Sequence, residues 1–498
     1  MSVSLAAVLK EVAPQAFYVG GAVRNSLLKR WSSDVDITLP QQDVKTVALA
    51  LGKKLNAAVF EMDPAFGVWR LVTRREGIQI DVCAWQGKNL KEDLLRRDFT
   101  FNALAYPVTQ PVCVAVKKEN KQTKVLLKGL RRSQIIDFCG GLQAVKERQI
   151  RLTSAKVFKE DPLRMLRAFR CGAELNFSID VSVLKQIKKD APLIWQSAGE
   201  RIQEELTRLF NTPKSYEKLL LMEKSGLLTA LFPVLEEQRS CARVYYGTGG
   251  VLSHTLAVFK RMEYLLEHLD KAFPKYAKKL KPYIANKALL KMAALLHDIA
   301  KPATAKKVGD RLRFFYHEER GARMAKTILE KLHYSRADIR LICAMIGQHL
   351  RPSNLASNDV ITDRGAYHFF KDLADAALPL LLLCWADYTS YVTDYQLKRI
   401  IPRSGERMMS LERAKKTANI GKTLRHMQVL SLLLSKYFDQ PKKMKPSRLI
   451  NGKDVMDTLH LPPGPQIGEI LEKVAEAQAE GKVFTREDAL AFLAHLSK

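Results

Sequence analysis

The sequence predicts an α+β chain, with a small α/β head followed by an all-helical remainder. Three observations carry that expectation. The first hundred residues alternate strand-like segments (FYVG, DVDITL, WRLVT, IQIDVCAW) with helix-like ones (AVRNSLLKR, DVKTVALALGKKL). From about Ala155 onward strand signals fade and long helical patterns take over, among them AKVFKEDPLRMLRAFRCGAEL, GERIQEELTRLF and SYEKLLLMEKSGLL. The length of 498 residues allows roughly three or four domains at about 100 to 200 residues each. The expected limits are 1–150 for the head, 151–245 for a helical neck, 246–400 for a second helical domain and 401–498 for a helical C-terminal region.

The charge narrows the function classes. The chain carries 81 Lys plus Arg against 52 Asp plus Glu, a net charge of +29, within an ordinary folded composition of 47% hydrophobic and 27% charged residues. The excess therefore sits on folded surfaces and attracts polyanions, nucleic acid first. Three basic runs, 117–132, 271–283 and 441–448, read as solvated faces or as tracks for a phosphate backbone. The N-terminus lacks a basic n-region and is a poor secretory signal. The strongest apolar run, Leu378 to Trp385, is far shorter than the roughly 20 residues that a membrane crossing needs, and Asp375 and Asp387 flank it. Seven scattered cysteines without a CxxC pair suit reduced thiols, and a cytoplasmic protein is expected.

Chemistry-bearing residues cluster early. Gly20 and Gly21 end an apolar strand and open a helix containing Arg24, an arrangement that lets backbone N–H groups and a guanidinium approach a phosphate. Asp34 and Asp36 stand two apart in DVDI, so a strand places both carboxylates on one face, where their repulsion calls for a cation such as Mg²⁺. Asp81, in IQIDV, either presents a third acid to that site or makes a structural hydrogen bond. Arg96, Arg97 and Asp98 precede an apolar segment. In EDPLRMLRAFR, helical spacing puts 161, 164 and 168 on one face, and 160, 164 and 167 on another.

Taken in order, FYVGGAVRN, DVDITL, RRDFTFNALAY, IIDFCGGL, EDPLRMLRAFR, SAGERIQEELTRLF and SGLLTALFP resemble the class II tRNA nucleotidyltransferases, the CCA-adding family and its relatives the bacterial poly(A) polymerases. The resemblance covers about the first half of the chain. It implies a polymerase-β-like head in which Asp34 and Asp36, with Asp81 as a further catalytic candidate, hold Mg²⁺. It implies nucleotide binding by Gly20, Gly21, Arg24, Arg97 and Asp98, and base selection by Asp161 and Arg164 with Arg167 one turn along. A carboxylate accepts from the exocyclic amine of C or A, whereas the keto oxygens of U or G face it repulsively. The partners implied are the tRNA 3′ end, CTP and ATP. Two features depart from the family pattern. Position 25 is Asn where GGxxRD is usual, and the link between Asp81 and Arg96 is short, a property of CC-adding specialists.

In the second half His254, His297-Asp298, His317, His349 and Asp387 form an ordered series that resembles the HD phosphohydrolase superfamily. That resemblance implies one or two divalent cations held by these six residues, of unstated identity, with Lys301 placed for a phosphate. Spacing alone does not bring His297 and Asp298 to one metal, because neighbours on a helix point about 100° apart. Full CCA addition is the leading expectation, with possible HD phosphohydrolase activity beside it. Its alternatives are CC-only, A-only or poly(A) addition, a metal-dependent phosphohydrolase using the N-terminal half as an RNA platform, and an RNA-binding protein without chemistry.

Overall fold

A computed structural model describes residues 5–40, 44–63, 67–119, 122–355, 357 and 359–496. Two compact units make up the chain, residues 1–201 with 221–231, and residues 202–220 with 232–498.

The first unit is built on a seven-stranded sheet. Its elements are β1 (Phe17–Val19), β2 (Asp34–Leu39), β3 (Ala57–Asp63), β4 (Val68–Thr73), β5 (Gln79–Ala84), β6 (Leu104–Pro107) and, beyond the separate hairpin of β7 (Cys113–Glu119) and β8 (Gln122–Lys128), β9 (Ile136–Asp137). The spatial order is β3-β4-β5-β2-β1-β6-β9. Every pairing is antiparallel except β2 with β5. The register sets one row across the sheet, Val19 opposite Asp36, Asp36 opposite Asp81, and Asp81 opposite Arg70. In β2 Val35 and Ile37 are fully buried while Asp34 and Asp36 are partly open, as the period of two requires. Helix Val44–Leu55 covers the sheet with Val44, Val47, Ala48 and Leu51, an i, i+3, i+4, i+7 stripe. The basic run at 117–132 falls largely on the β7–β8 hairpin, and its residues 120 and 121 lie outside the described residues.

One expected helix is broken. AKVFKEDPLRM splits into a short helix Val157–Glu160 and a longer one, Arg164–Leu175. Pro162 disfavours helical backbone at the residue before it, and Asp161 is extended with φ −148°. Asp161 therefore does not share a helical face with Arg164 and residue 168. Helix Arg164–Leu175 buries Met165, Leu166, Ala168 and Phe169 and stops at Asn176 in the left-handed region.

Among the described residues the second unit is helical apart from one hairpin, Ala305–Val308 with Arg311–Phe314, in a stretch where strands were not expected. Its core includes Leu378, Leu380, Leu381, Leu382, Leu383 and Trp385, so the strongest apolar run of the sequence is the inside of helix Ala377–Thr389. No helix among the described residues is long and apolar enough to cross a membrane. Helices Gly452–Leu459, Pro465–Ala479 and Arg486–Leu496 close a smaller core around Ile450, Val455, Val474 and Leu493.

Candidate functional site

The head site forms where β1 passes directly into helix Gly20–Leu27. Gly20 has φ +63°, a conformation that glycine adopts without strain. A Cβ at Gly20 would stand 3.1 Å from Asp36 Oδ2 and 3.3 Å from Arg97 Nη1, and one at Gly21 would lie 3.6 Å from Arg24 Nη2. Gly20, Gly21, Arg24, Asp36 and Arg97 thus converge on one small space, with Asp34 two residues along the same strand face. Burial and the neighbouring Asp34 charge push the Asp36 carboxyl up to about 7, against the opposing pull of Arg97 and Arg24. Such a crowded, raised carboxylate suits a divalent cation, which relieves both the burial and the repulsion. Asp81 stands beside Asp36 in the row, but Arg70 holds both of its oxygens at 2.7 and 2.6 Å.

A polar relay fixes the cations of this site. Asn25 Oδ1 accepts from Arg24 Nε and Nη2 at 2.9 and 2.8 Å, and Asn25 Nδ2 donates to Ser32 Oγ. The amide oxygen takes the fork of the arginine much as a carboxylate would. Arg24 Nη1 donates to Asn102 Oδ1 at 2.5 Å, Asn102 Nδ2 to Asp98 Oδ1 at 2.9 Å, and Arg167 Nε and Nη2 reach Asp98 Oδ2 at 3.0 and 2.8 Å. Asp98 also accepts from the Phe99 N–H. Asp98, expected at the nucleotide, is buried, and its oxygens serve these donors. Asp98 positions Arg167 and, through Asn102, Arg24. Burial would raise its carboxyl, but Arg167, Asn102 and the Phe99 N–H hold it below its ordinary value. Arg97 is held by Asp93 at 3.0 Å.

Asp161 and Arg164 stand on either side of the break at Pro162, where the Arg164 N–H donates to the Asp161 carbonyl at 3.1 Å. Asp161 Oδ1 accepts the Leu163 N–H at 3.2 Å and Asp161 Oδ2 accepts from Arg201 at 3.0 Å. Arg164 Nη1 lies 3.5 Å from Glu160 Oε2. Sequence reasoning missed Asn102, Asp93, Arg70 and Arg201. Only Asn102 left a signal, four residues after Asp98 within the RRDFTFN motif.

The second unit gathers all six expected residues around Asp298. His297 and Asp298 lie just beyond helix Lys287–Leu296, in a turn where His297 keeps helical backbone angles (φ −59°, ψ −34°), and both residues are buried. Asp298 Oδ2 lies 3.2 Å from His297 Nε2, 3.4 Å from His254 Nε2 and 2.6 Å from Lys301 Nζ. His317 Nε2 and His349 Nε2 approach Asp298 Oδ1 at 3.5 and 3.8 Å, and His254 Nε2 lies 3.2 Å from Asp387 Oδ1. Two triads result, His254/His297/Asp387 and Asp298/His317/His349, each with its ligand atoms within 4.8 Å of one another. The rings of His297, His317 and His349 turn Nδ1 to the carbonyl three residues back, at 2.9, 2.8 and 2.7 Å, which leaves each Nε2 lone pair facing the centre. His297 Nε2, His317 Nε2 and Asp298 Oδ1 are buried without a hydrogen-bond partner. These orphaned donor atoms fit divalent metal, with Asp298 between the two triads. Burial opposes the charge of Asp298, yet the His297 and Lys301 charges hold it well below the carboxylate range; burial carries His349 down to about 4. Tyr246 and Tyr391 flank the His254 ring, and Lys301 donates to Tyr246 OH at 2.8 Å.

The head thus offers a glycine and arginine cradle beside paired carboxylates, and the second unit a histidine-aspartate cluster that fits divalent metal. Comparison with known proteins agrees. The Poly A polymerase head domain matches residues 16–151, the probable RNA and SrmB-binding site of polymerase A matches 176–239, the HD domain 251–392, and tRNA nucleotidyltransferase domain 2 (putative) 408–494. An A-adding tRNA nucleotidyltransferase of Deinococcus radiodurans is 31% identical over 96% of this chain and 95% of its own. A CC-adding tRNA nucleotidyltransferase of a Synechocystis species is 27% identical over 97% of this chain and 94% of its own. The solved Thermotoga maritima CCA-adding enzyme complexed with tRNA shares the fold, with a TM-score of 0.61 at 18% identity over 99% of this chain and 94% of that one. The chain belongs to the tRNA nucleotidyltransferase family, in the branch whose nucleotidyltransferase head is followed by an HD domain.

Proposed function

We propose that this chain adds C and A nucleotides, from CTP and ATP, to the 3′ end of tRNA without a nucleic acid template. The observation that carries the reading is the convergence of Gly20, Gly21, Arg24 and Arg97 on Asp36, linked through Asn102 and Asp98 to the helix that bears Arg164 and Arg167. Arg24 and Arg97 hold the triphosphate, giving position and charge neutralisation rather than covalent chemistry. Asp34 and Asp36 hold Mg²⁺, with Asp81 as a neighbouring acid whose partner is Arg70. Magnesium bound there supplies activation of the RNA 3′-hydroxyl and neutralisation of the departing pyrophosphate. Asp161 and Arg164 read the base by accepting from the exocyclic amine and donating to ring acceptors. The domain limits 1–150, 151–245, 246–400 and 401–498 are part of this reading, and the matched family spans support them. Seven free cysteines support a cytoplasmic setting.

A second reading restricts the addition to part of the CCA end. It is favoured because relatives that match over more than nine-tenths of their own length include an A-adding enzyme and CC-adding enzymes. One panel separates the readings. Purified chain with Mg²⁺ is incubated with tRNAs ending before CCA, after C and after CC, with CTP and ATP singly and together. Full addition extends all three to CCA. Arrest at CC, or extension of only the CC-ending tRNA by one A, would replace it with the restricted reading, and long A tails would indicate poly(A) addition.

The HD centre is proposed as a divalent-metal phosphohydrolase. The two triads and their unpartnered nitrogens support this reading. Metal held there supplies activated water, while Lys301 orients Asp298 and lies ready for a phosphate oxygen.

A further inference from the structure

The HD centre opens into a cleft of about 590 Å³, and part of its wall comes from outside the segment that matches the HD domain. Helix Ala418–Asp439 begins 26 residues beyond the end of that match at residue 392 and contributes Asn419, Lys422, Thr423 and His426. Residues 419, 422 and 426 follow one helical face, so a single face of this helix is given to the cleft. The helix is anchored to the metal-bearing element at two points. Thr423 Oγ1 donates to the Tyr388 carbonyl at 3.1 Å, and the His426 ring meets the Tyr388 ring edge-on at 4.1 Å between centroids. Tyr388 follows the metal-ligand candidate Asp387 and is itself tied to Ser353 at 2.9 Å. The wall is therefore fixed relative to the centre.

Charge shows what such a wall holds. Lys301 is committed to Asp298 and Tyr246 at the floor of the cleft. Two further cations line it, Arg313 from the Arg311–Phe314 strand and Lys422 from the helix, and among the described residues neither makes an ion pair. At the centre itself Lys301 is the side-chain cation within reach of a phosphate, the candidate ligands being carboxylates and imidazoles. Arg313 and Lys422 are both exposed where they line the cleft, and so offer charged donors to a second anionic group on the same substrate.

We propose that helix Ala418–Asp439 completes the substrate site of the HD centre, and that Lys422, with Arg313, binds a second phosphate of a substrate whose scissile phosphate lies at the metals. This rests on the phosphohydrolase reading above. The substrate class is a phosphate ester carrying at least one more phosphodiester, such as a short oligonucleotide with a terminal phosphate. Lys422 is here a specificity residue, and it takes no part in holding metal.

The test uses the full-length chain loaded with Mn²⁺ or Ni²⁺, as wild type and as Lys422→Ala, Lys422→Arg and Arg313→Ala. Bound metal is counted by elemental mass spectrometry, and phosphate release is followed from p-nitrophenyl phosphate and from a dinucleotide ending in a 3′-phosphate. The proposal predicts unchanged metal content and unchanged p-nitrophenyl phosphate turnover in every variant. It predicts a KM for the dinucleotide raised about tenfold in Lys422→Ala with kcat kept, and recovery in Lys422→Arg. An unchanged dinucleotide KM, with hydrolysis intact, would overturn the role of Lys422 and leave the hydrolase reading standing, as would a loss of metal in Lys422→Ala, which would make the residue structural. A wild-type chain that binds no divalent metal and hydrolyses neither ester would overturn both.

Discussion

Asn25 shows how a departure from a family pattern is absorbed by a single side chain. Its amide oxygen takes the Arg24 fork at 2.9 and 2.8 Å and its amide nitrogen secures Ser32, so the arginine stays aimed without a carboxylate. Asn25→Asp is therefore expected to leave the KM for nucleoside triphosphate nearly unchanged, whereas Asn25→Ala raises it about tenfold, as steady-state kinetics would show. Asp98 carries a pH signature. Its carboxyl is depressed in the fold, so its contribution is full above the unfolded value of about 3.9 and is lost as pH falls through the folded value. The stability difference between wild type and Asp98→Asn should be complete at about pH 6 and shrink below about pH 4, as urea midpoints at several pH values would show. Much of this was legible in the sequence. The shared face of Asp34 and Asp36 follows from strand periodicity alone. The Asp161 face was misread because Pro162 interrupts the helical spacing, and the Arg70 pairing with Asp81 was hidden because strand register cannot be read from spacing.

At the scale of elements, the IIDFCGGL motif has a structural explanation. Asp137 at the end of β9 accepts from the N–H groups of Cys139, Gly141 and Leu142, and so caps helix Gly141–Glu147 with a carboxylate at its positive end. Gly141 lies against the Thr100 carbonyl and Leu104, where a Cβ would overlap both. Gly141→Ala should cost about 1 to 3 kcal/mol, read as a lowered urea midpoint, and should disturb the neighbouring RRDFTFN segment. The long helices were legible because their apolar stripes repeat at helical spacing. The 305–314 hairpin was not, because both strands are only four residues long: AKKV is exposed throughout, and the alternation in RLRF is too short to mark a strand by itself. The HD triads likewise needed the fold, since their six residues come from segments far apart in the chain that only tertiary packing brings to one centre.

For the whole molecule, the net charge of +29 now has particular carriers. The basic run at 271–283 packs against residues 438 and 439, just ahead of the run at 441–448. Lys275 pairs with Asp439 at 2.6 Å and Lys279 reaches the Phe438 carbonyl, while Lys275 and Lys279 lie over the Tyr276 ring. Affinity for tRNA should fall about a hundredfold or more between roughly 50 and 200 mM salt, measured by filter binding, while discrimination of C and A against U and G stays constant. Asp298, lying between both triads, should control the metal load of its unit. Asp298→Ala is expected to lower the bound metal count with nucleotide addition preserved. The central claim is that Asp34 and Asp36 make the head a nucleotidyltransferase, and it is tested most directly by following incorporation of labelled CTP and ATP into a tRNA lacking its CCA end. Wild type with Mg²⁺ should extend that tRNA, and Asp34→Asn and Asp36→Asn should each reduce the rate by at least about a hundredfold with tRNA binding retained. Undiminished incorporation by either variant would contradict it.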